Sequence, residues 1–174
     1  MFDPTIFDNL KVVLEGKLYE LDRQGEALVI GREDRVELAG LSRTFLMRLR
    51  PPSGNCTAEI RLTSGLADFA GELRGLRLAG SDPGAVLTVR FELPGARSAD
   101  AAELDTWLAG QWKDQADLLH EKTMQVNPQA ADGEPDEGRY RITLRYRGKI
   151  DEDDTEELEA LAAWLPQAFA RMDD

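Results

Sequence analysis

The segment Arg139–Met172 constrains the fold more than any other stretch of this sequence. It opens Arg-Tyr-Arg-Ile-Thr-Leu-Arg-Tyr-Arg, so that Tyr140, Ile142, Leu144 and Tyr146 alternate with Arg139, Arg141, Thr143, Arg145 and Arg147. A period of two puts the first set on one face of a β-strand and the second on the other. The acids Asp151, Glu152, Asp153 and Asp154 follow, and then Leu158, Leu161, Ala162, Leu165, Phe169 and Met172 recur at helical spacing. Acids at a helix start satisfy free N–H groups and complement the helix dipole. The segment is therefore a strand with one apolar and one arginine face, running into a helix whose apolar stripe folds back on the strand's apolar side. A chain containing this unit needs a sheet covered by helices on one face only.

The rest of the chain supplies strands in quantity. Leu10–Leu14 and Lys17–Leu21 read as two short strands after a helical turn at Pro4–Asn9, and Ala27–Ile30 and Val36–Ala39 as two more. Thr44–Arg50 and Thr57–Thr63 alternate more clearly, separated by the turn Pro51-Pro52-Ser53-Gly54-Asn55. Gly65–Gly75 is compatible with helix or strand, because Leu66, Phe69 and Leu73 suit a helix while Gly71 and Gly75 weaken it. Glu72–Ala79 and Ala85–Leu93 read as a hairpin, with Leu87, Val89, Phe91 and Leu93 on one face. After Pro94-Gly95 the period changes. Leu104, Trp107, Leu108, Trp112, Leu118 and Leu119 fall on one broad stripe, which predicts a helix over 99–122 with His120 on its exposed side. Residues 125–138 read as a flexible acidic loop, then come a strand over 139–149 and a helix over 153–172. The expectation is one α+β domain over 1–174, strand-rich over 10–93: an antiparallel sheet of about six to eight strands with two long helices packed on one face.

The net charge of −12 is concentrated. Residues 100–137 hold 10 acids and 2 bases and residues 151–174 hold 9 acids and 1 base, whereas residues 138–150 hold 5 bases and no acid. Such a surface repels nucleic acid and anionic membrane, and points to a basic protein partner if to any charged one. No apolar run is long enough to span a bilayer, no cationic leader opens the chain, and the single cysteine, Cys56, fits a reducing compartment, so a cytoplasmic protein is expected.

Several chemistries lack their residues. One histidine and one cysteine exclude a histidine-rich zinc site, and Asp151–Glu159 lacks the mid-loop glycine and the terminal-glutamate spacing of a calcium loop. No Gly-x-Ser-x-Gly, phosphate loop or dinucleotide fingerprint is present, so neither metal nor cofactor is expected. The residues that invite a binding function are arginines. Arg48, Arg61, Arg90, Arg141 and Arg145 sit on the polar sides of strands, where guanidinium forks on a rigid sheet suit carboxylate or phosphate. Cross-strand pairing with Glu15, Glu59 and Glu92 is the plainer use of the same residues.

Ile30-Gly31-Arg32 followed by Leu41-Ser42-Arg43 resembles the opening of forkhead-associated domains, over residues 17–50. There a Gly-Arg strand end and a Ser-Arg loop bind phosphothreonine, so the resemblance implies Arg32, Ser42 and Arg43 as phosphate contacts. Phe45 stands where that family has histidine, and the family's later Asn-Gly turn is missing.

Trp107, Trp112 and Trp164 lie at helix flanks, where aromatic residues serve either cores or interfaces. The functional expectation is a non-catalytic, self-associating interaction protein, a homodimer. An anion- or phosphopeptide-binding module is the alternative, and a hydrolase using carboxylates or His120 the third reading.

Overall fold

A computed structural model describes residues 5–75, 82–112, 114–124 and 138–174. It contains α1 (Thr5–Gln24), β1 (Leu28–Glu37), β2 (Ser42–Arg50), β3 (Thr57–Ser64), α2 (Leu66–Arg74), β4 (Val86–Pro94), α3 (Ala101–Trp112), β5 (Ala116–Thr123), β6 (Arg139–Tyr146) and α4 (Thr155–Asp173). Short 3-10 turns at Gly95–Asp100 and Glu152–Asp154 lead into α3 and α4. The six described strands form one antiparallel sheet in the order β1-β2-β3-β4-β6-β5. The α+β architecture expected from the sequence is the one observed, and none of the described helices is long and apolar enough to cross a membrane.

Alternation sorts the sheet into two faces. Phe45, Met47 and Leu49 of β2, Ile60 and Leu62 of β3, Leu87, Val89 and Phe91 of β4, and Ile142 and Leu144 of β6 are fully buried on one side. The buried leucines and aromatics of α1 and α4 join them in one continuous core. The other face carries Arg48, Arg61, Arg90, Arg141 and Arg145. The Asp151 side chain accepts from the Asp153 N–H and the Asp154 side chain from the Asp151 N–H, so these acids cap the 3-10 turn that leads into α4, while α4's own N-cap, Asp154, makes no side-chain capping hydrogen bond.

Four sequence expectations are corrected. The strands expected at Leu10–Leu14 and Lys17–Leu21 are instead part of α1: Phe7, Leu10, Leu14, Leu18 and Leu21 recur every three or four residues and are its buried stripe, while Val12 is exposed. The apparent alternation Leu10-Val12-Leu14 is a window too short to reveal the helical period. Val36–Ala39 is not a separate strand, because Val36 and Glu37 finish the ten-residue β1. The helix expected over 99–122 stops at Trp112, and Ala116–Thr123 form β5 along the free edge of β6. Backbone pairing with an open strand edge outweighs the helical spacing of Leu118 and Leu119.

The hairpin of Glu72–Ala79 with Ala85–Leu93 is also absent as drawn. Glu72–Arg74 are the last turn of α2, Gly75 closes that helix at φ 59, and β4 pairs with β3 and β6. Residues 76–79 lie outside the described residues, as do 125–137 of the expected acidic loop. The ambiguity at Gly65–Gly75 resolves as helix.

Candidate functional site

The arginine face is assembled as the alternation requires, but carboxylates are interleaved with it. In register, Gly31, Arg48, Glu59, Arg90 and Thr143 form one row across β1-β2-β3-β4-β6. Glu59 is the hub: Arg61 reaches it at 2.6 Å, Arg48 at 3.1 Å and Arg90 at 3.6 Å, with Arg48 also 3.1 Å from Glu33. Arg141 pairs with Glu92 at 2.8 Å. Arg145 has no ion-pair partner among the described residues, since Asp117, opposite it in register, is taken by Arg147 at 2.7 Å. An incoming anion at Arg48, Arg61 and Arg90 has to displace an internal carboxylate already held by all three guanidinium groups.

Of the three residues marked by the forkhead-associated resemblance, Arg32 and Arg43 do not join this face. Arg32 and Arg43 lie on the helix side of β1 and β2. Arg32 binds Glu15 through Nε and Nη2 at 2.5 and 3.2 Å. Arg43 makes a bidentate pair with Asp34 at 3.0 and 3.0 Å, adds Asp8 at 3.0 Å, and lies 5.0 Å above the Phe7 ring. All three of its nitrogens are engaged inside the chain, and Ser42 beside it opens β2.

Arg43, and secondarily Lys11, hold the Asp34 carboxyl at about 2, against the opposing cost of its partial burial. A carboxylate depressed in the folded state stabilises above its unfolded pKa, and that stability is lost as pH falls through the folded value. Asp34→Asn is therefore expected to cost about 1 kcal/mol at neutral pH after allowance for solvent screening. Urea titrations of both proteins should converge as pH drops from about 4 toward 2; a gap independent of pH would contradict the pairing.

The tryptophans meet one another. Trp107 stacks on Trp164 at 5.8 Å and 17°, and Trp112 meets Trp164 edge-on at 5.1 Å. Phe91 of β4 closes the cluster at 5.9 Å from Trp164. Trp112 and Trp164 are buried and Trp107 half-buried, so these rings fasten α3 and α4 to the sheet rather than facing solvent.

His120 is not on an exposed helix face. It lies on β5, where Nδ1 is 2.5 Å from the Tyr140 hydroxyl and Nε2 is 3.0 Å from Asp105 Oδ1. The Tyr140 side chain is buried in the core, and this Asp–His–Tyr chain ties β5 to α3 and β6. The Cys56 thiol is fully buried, and that burial raises its pKa beyond the range of a reactive thiolate. Among the described residues no cluster of three or more metal-ligating side chains occurs.

One surface was missed in the sequence. The β1–β2 turn and α2 enclose a recess of about 420 Å³ lined by Val36, Leu38, Leu41, Leu66, Phe69 and Leu73. Five of these are exposed, Val36 at 61%, Leu38 at 79%, Leu41 at 47%, Leu66 at 55% and Leu73 at 69%, half of the ten exposed large hydrophobics among the described residues. Scattered exposed leucines need no explanation, whereas a cluster of this kind marks a contact surface. Leu41 also adopts φ 48, the only non-glycine residue at positive φ among those described, at a cost of about 1–2 kcal/mol relative to an ordinary conformation. A leucine that is both solvated and strained contributes nothing to the core. The readable signal was Leu38-Ala39-Gly40-Leu41, apolar residues in a turn where polar ones are usual, together with the i, i+3, i+7 spacing of Leu66, Phe69 and Leu73.

No protein-family model matches the chain, and comparison with curated proteins and with solved structures returns no match either.

Proposed function

We propose that this chain is a non-catalytic interaction protein whose working surface is the groove between the β1–β2 turn and α2, and that the groove docks an aliphatic, nearly uncharged surface of another protein chain. The observation behind this reading is the gathering of Val36, Leu38, Leu41, Leu66 and Leu73, all exposed, around one recess. The chemistry of the occupant follows from the lining. Among the described residues that line it, Arg43 is the one charged side chain, and its charge is already met by Asp34 and Asp8. A charged group entering the groove loses water and finds no counter-ion, while a leucine or isoleucine gains burial.

Selection of displayed peptides on the intact protein tests the reading. Enriched sequences should carry aliphatic anchors, and their affinity should fall by about tenfold or more on Leu41→Ser/Leu73→Ser, as expected when central apolar contacts are truncated. Binders indifferent to that double substitution, or no enrichment, would remove the groove as the working surface.

A further inference from the structure

We infer that the groove's occupant is a second copy of this chain, an inference that rests on the groove being a docking face. The same patch offers an exposed tip and a recess, Leu38 being largely solvent-exposed while it also lines the recess. Leu38, at the tip of the β1–β2 turn, is the most exposed large hydrophobic among the described residues. Behind it, Leu41, Leu66, Phe69 and Leu73 wall the recess. Contact about a twofold axis uses one patch on both subunits and makes every contact twice, so each copy's Leu38 enters the other's recess. A head-to-tail arrangement leaves a tip and a recess unused at the ends and continues to add copies.

Charge at the groove hardly opposes this partner. The chain carries −12, and over residues 100–137 and 151–174 a second copy meets its own sign. The two segments that build the groove, 36–43 and 66–74, hold Arg43 and Arg74 against Glu37, Asp68 and Glu72, a net of −1. Asp68 is moreover paired with Lys149 at 2.5 Å. The groove is thus a place where two strongly acidic molecules approach with little local repulsion. Its positioned leucine tip supplies what the recess accepts.

Light scattering over a dilution series tests the inference, with wild type, Leu38→Ser to delete the tip and Leu73→Arg to block the recess. Both positions are solvent-exposed, at 79% and 69%, so the fold is retained. Wild type should reach twice the 19.4 kDa chain mass. Each variant alone should dissociate at least about tenfold more readily. An equimolar mixture should regain part of the association, because the intact recess of Leu38→Ser accepts the intact tip of Leu73→Arg. Leu119→Ser, on β5 and outside the groove, should dimerise as wild type does.

A wild type that is monomeric throughout, one that grows past the dimer, or a dimer unaffected by either groove variant would overturn the inference. If the wild type is monomeric and selected aliphatic peptides still bind the groove, only the second copy is excluded. If those peptides also fail, the docking reading falls with it.

Discussion

Trp164→Ala should destabilise the protein by about 3–5 kcal/mol, the range for removing a large buried aromatic. Trp164 is where three elements meet: its ring stacks on Trp107, meets Trp112 edge-on and lies 5.9 Å from Phe91 on the sheet. Truncation removes the transfer energy of the indole and leaves a cavity between rigid rings with little freedom to collapse into it. The aromatic pairs add about 0.5–1.5 kcal/mol each beyond area alone. The buried indole N–H has no hydrogen-bond partner among the described residues, so its removal gives back a small part of the loss. Urea unfolding followed by far-ultraviolet circular dichroism measures the difference. A cost under about 1 kcal/mol would mean that the cluster sits at a surface and not in the interior.

The contrast between Leu144→Ala and the pair Arg141→Gln/Arg145→Gln tests the assignment of the two sheet faces. Leu144 is fully buried, with Val89 opposite it on β4 and Leu118 opposite it on β5. Its truncation should cost about 2–5 kcal/mol. The arginine pair should cost within about 1 kcal/mol, because Arg141 loses one partly exposed pair with Glu92 and Arg145 is exposed with no ion pair among the described residues. Reversed magnitudes would place the arginines inward.

The β6–α4 unit was legible because each residue votes for the same structure: strict alternation, a run of capping acids, then a helical stripe. The same agreement exposed β2, β3 and β4. Reading failed where two periods overlapped. In α1 the buried leucines are spaced by three and four, but Val12 and Val13 between them imitate a strand locally. In β5 the reverse occurs, since Leu118 and Leu119 complete a helical stripe whose continuation is decided by the open edge of β6, whose Leu144 and Thr143 stand opposite them. His120 was misplaced with that segment, and its link to Tyr140 became visible only with the strand pairing.

The site is harder to read than the fold for a related reason. The arginines were placed on the expected face, but alternation alone cannot say that Glu59 is shared by Arg48, Arg61 and Arg90, because that depends on the register of three strands. The groove is made of two segments distant in sequence, and each apolar residue in it passes for core when read alone. What distinguishes them is exposure, which sequence does not carry.

The claim that the groove docks a protein surface is tested most directly by leucine methyl spectra recorded as protein concentration is raised, and again with a selected aliphatic peptide. The methyl resonances of Leu38, Leu41, Leu66 and Leu73 should shift together in at least one of the two titrations, while exposed Leu119 and buried Leu144 stay in place. Groove methyls that remain stationary in both, or shifts centred on β5 or on the arginine face, would contradict it.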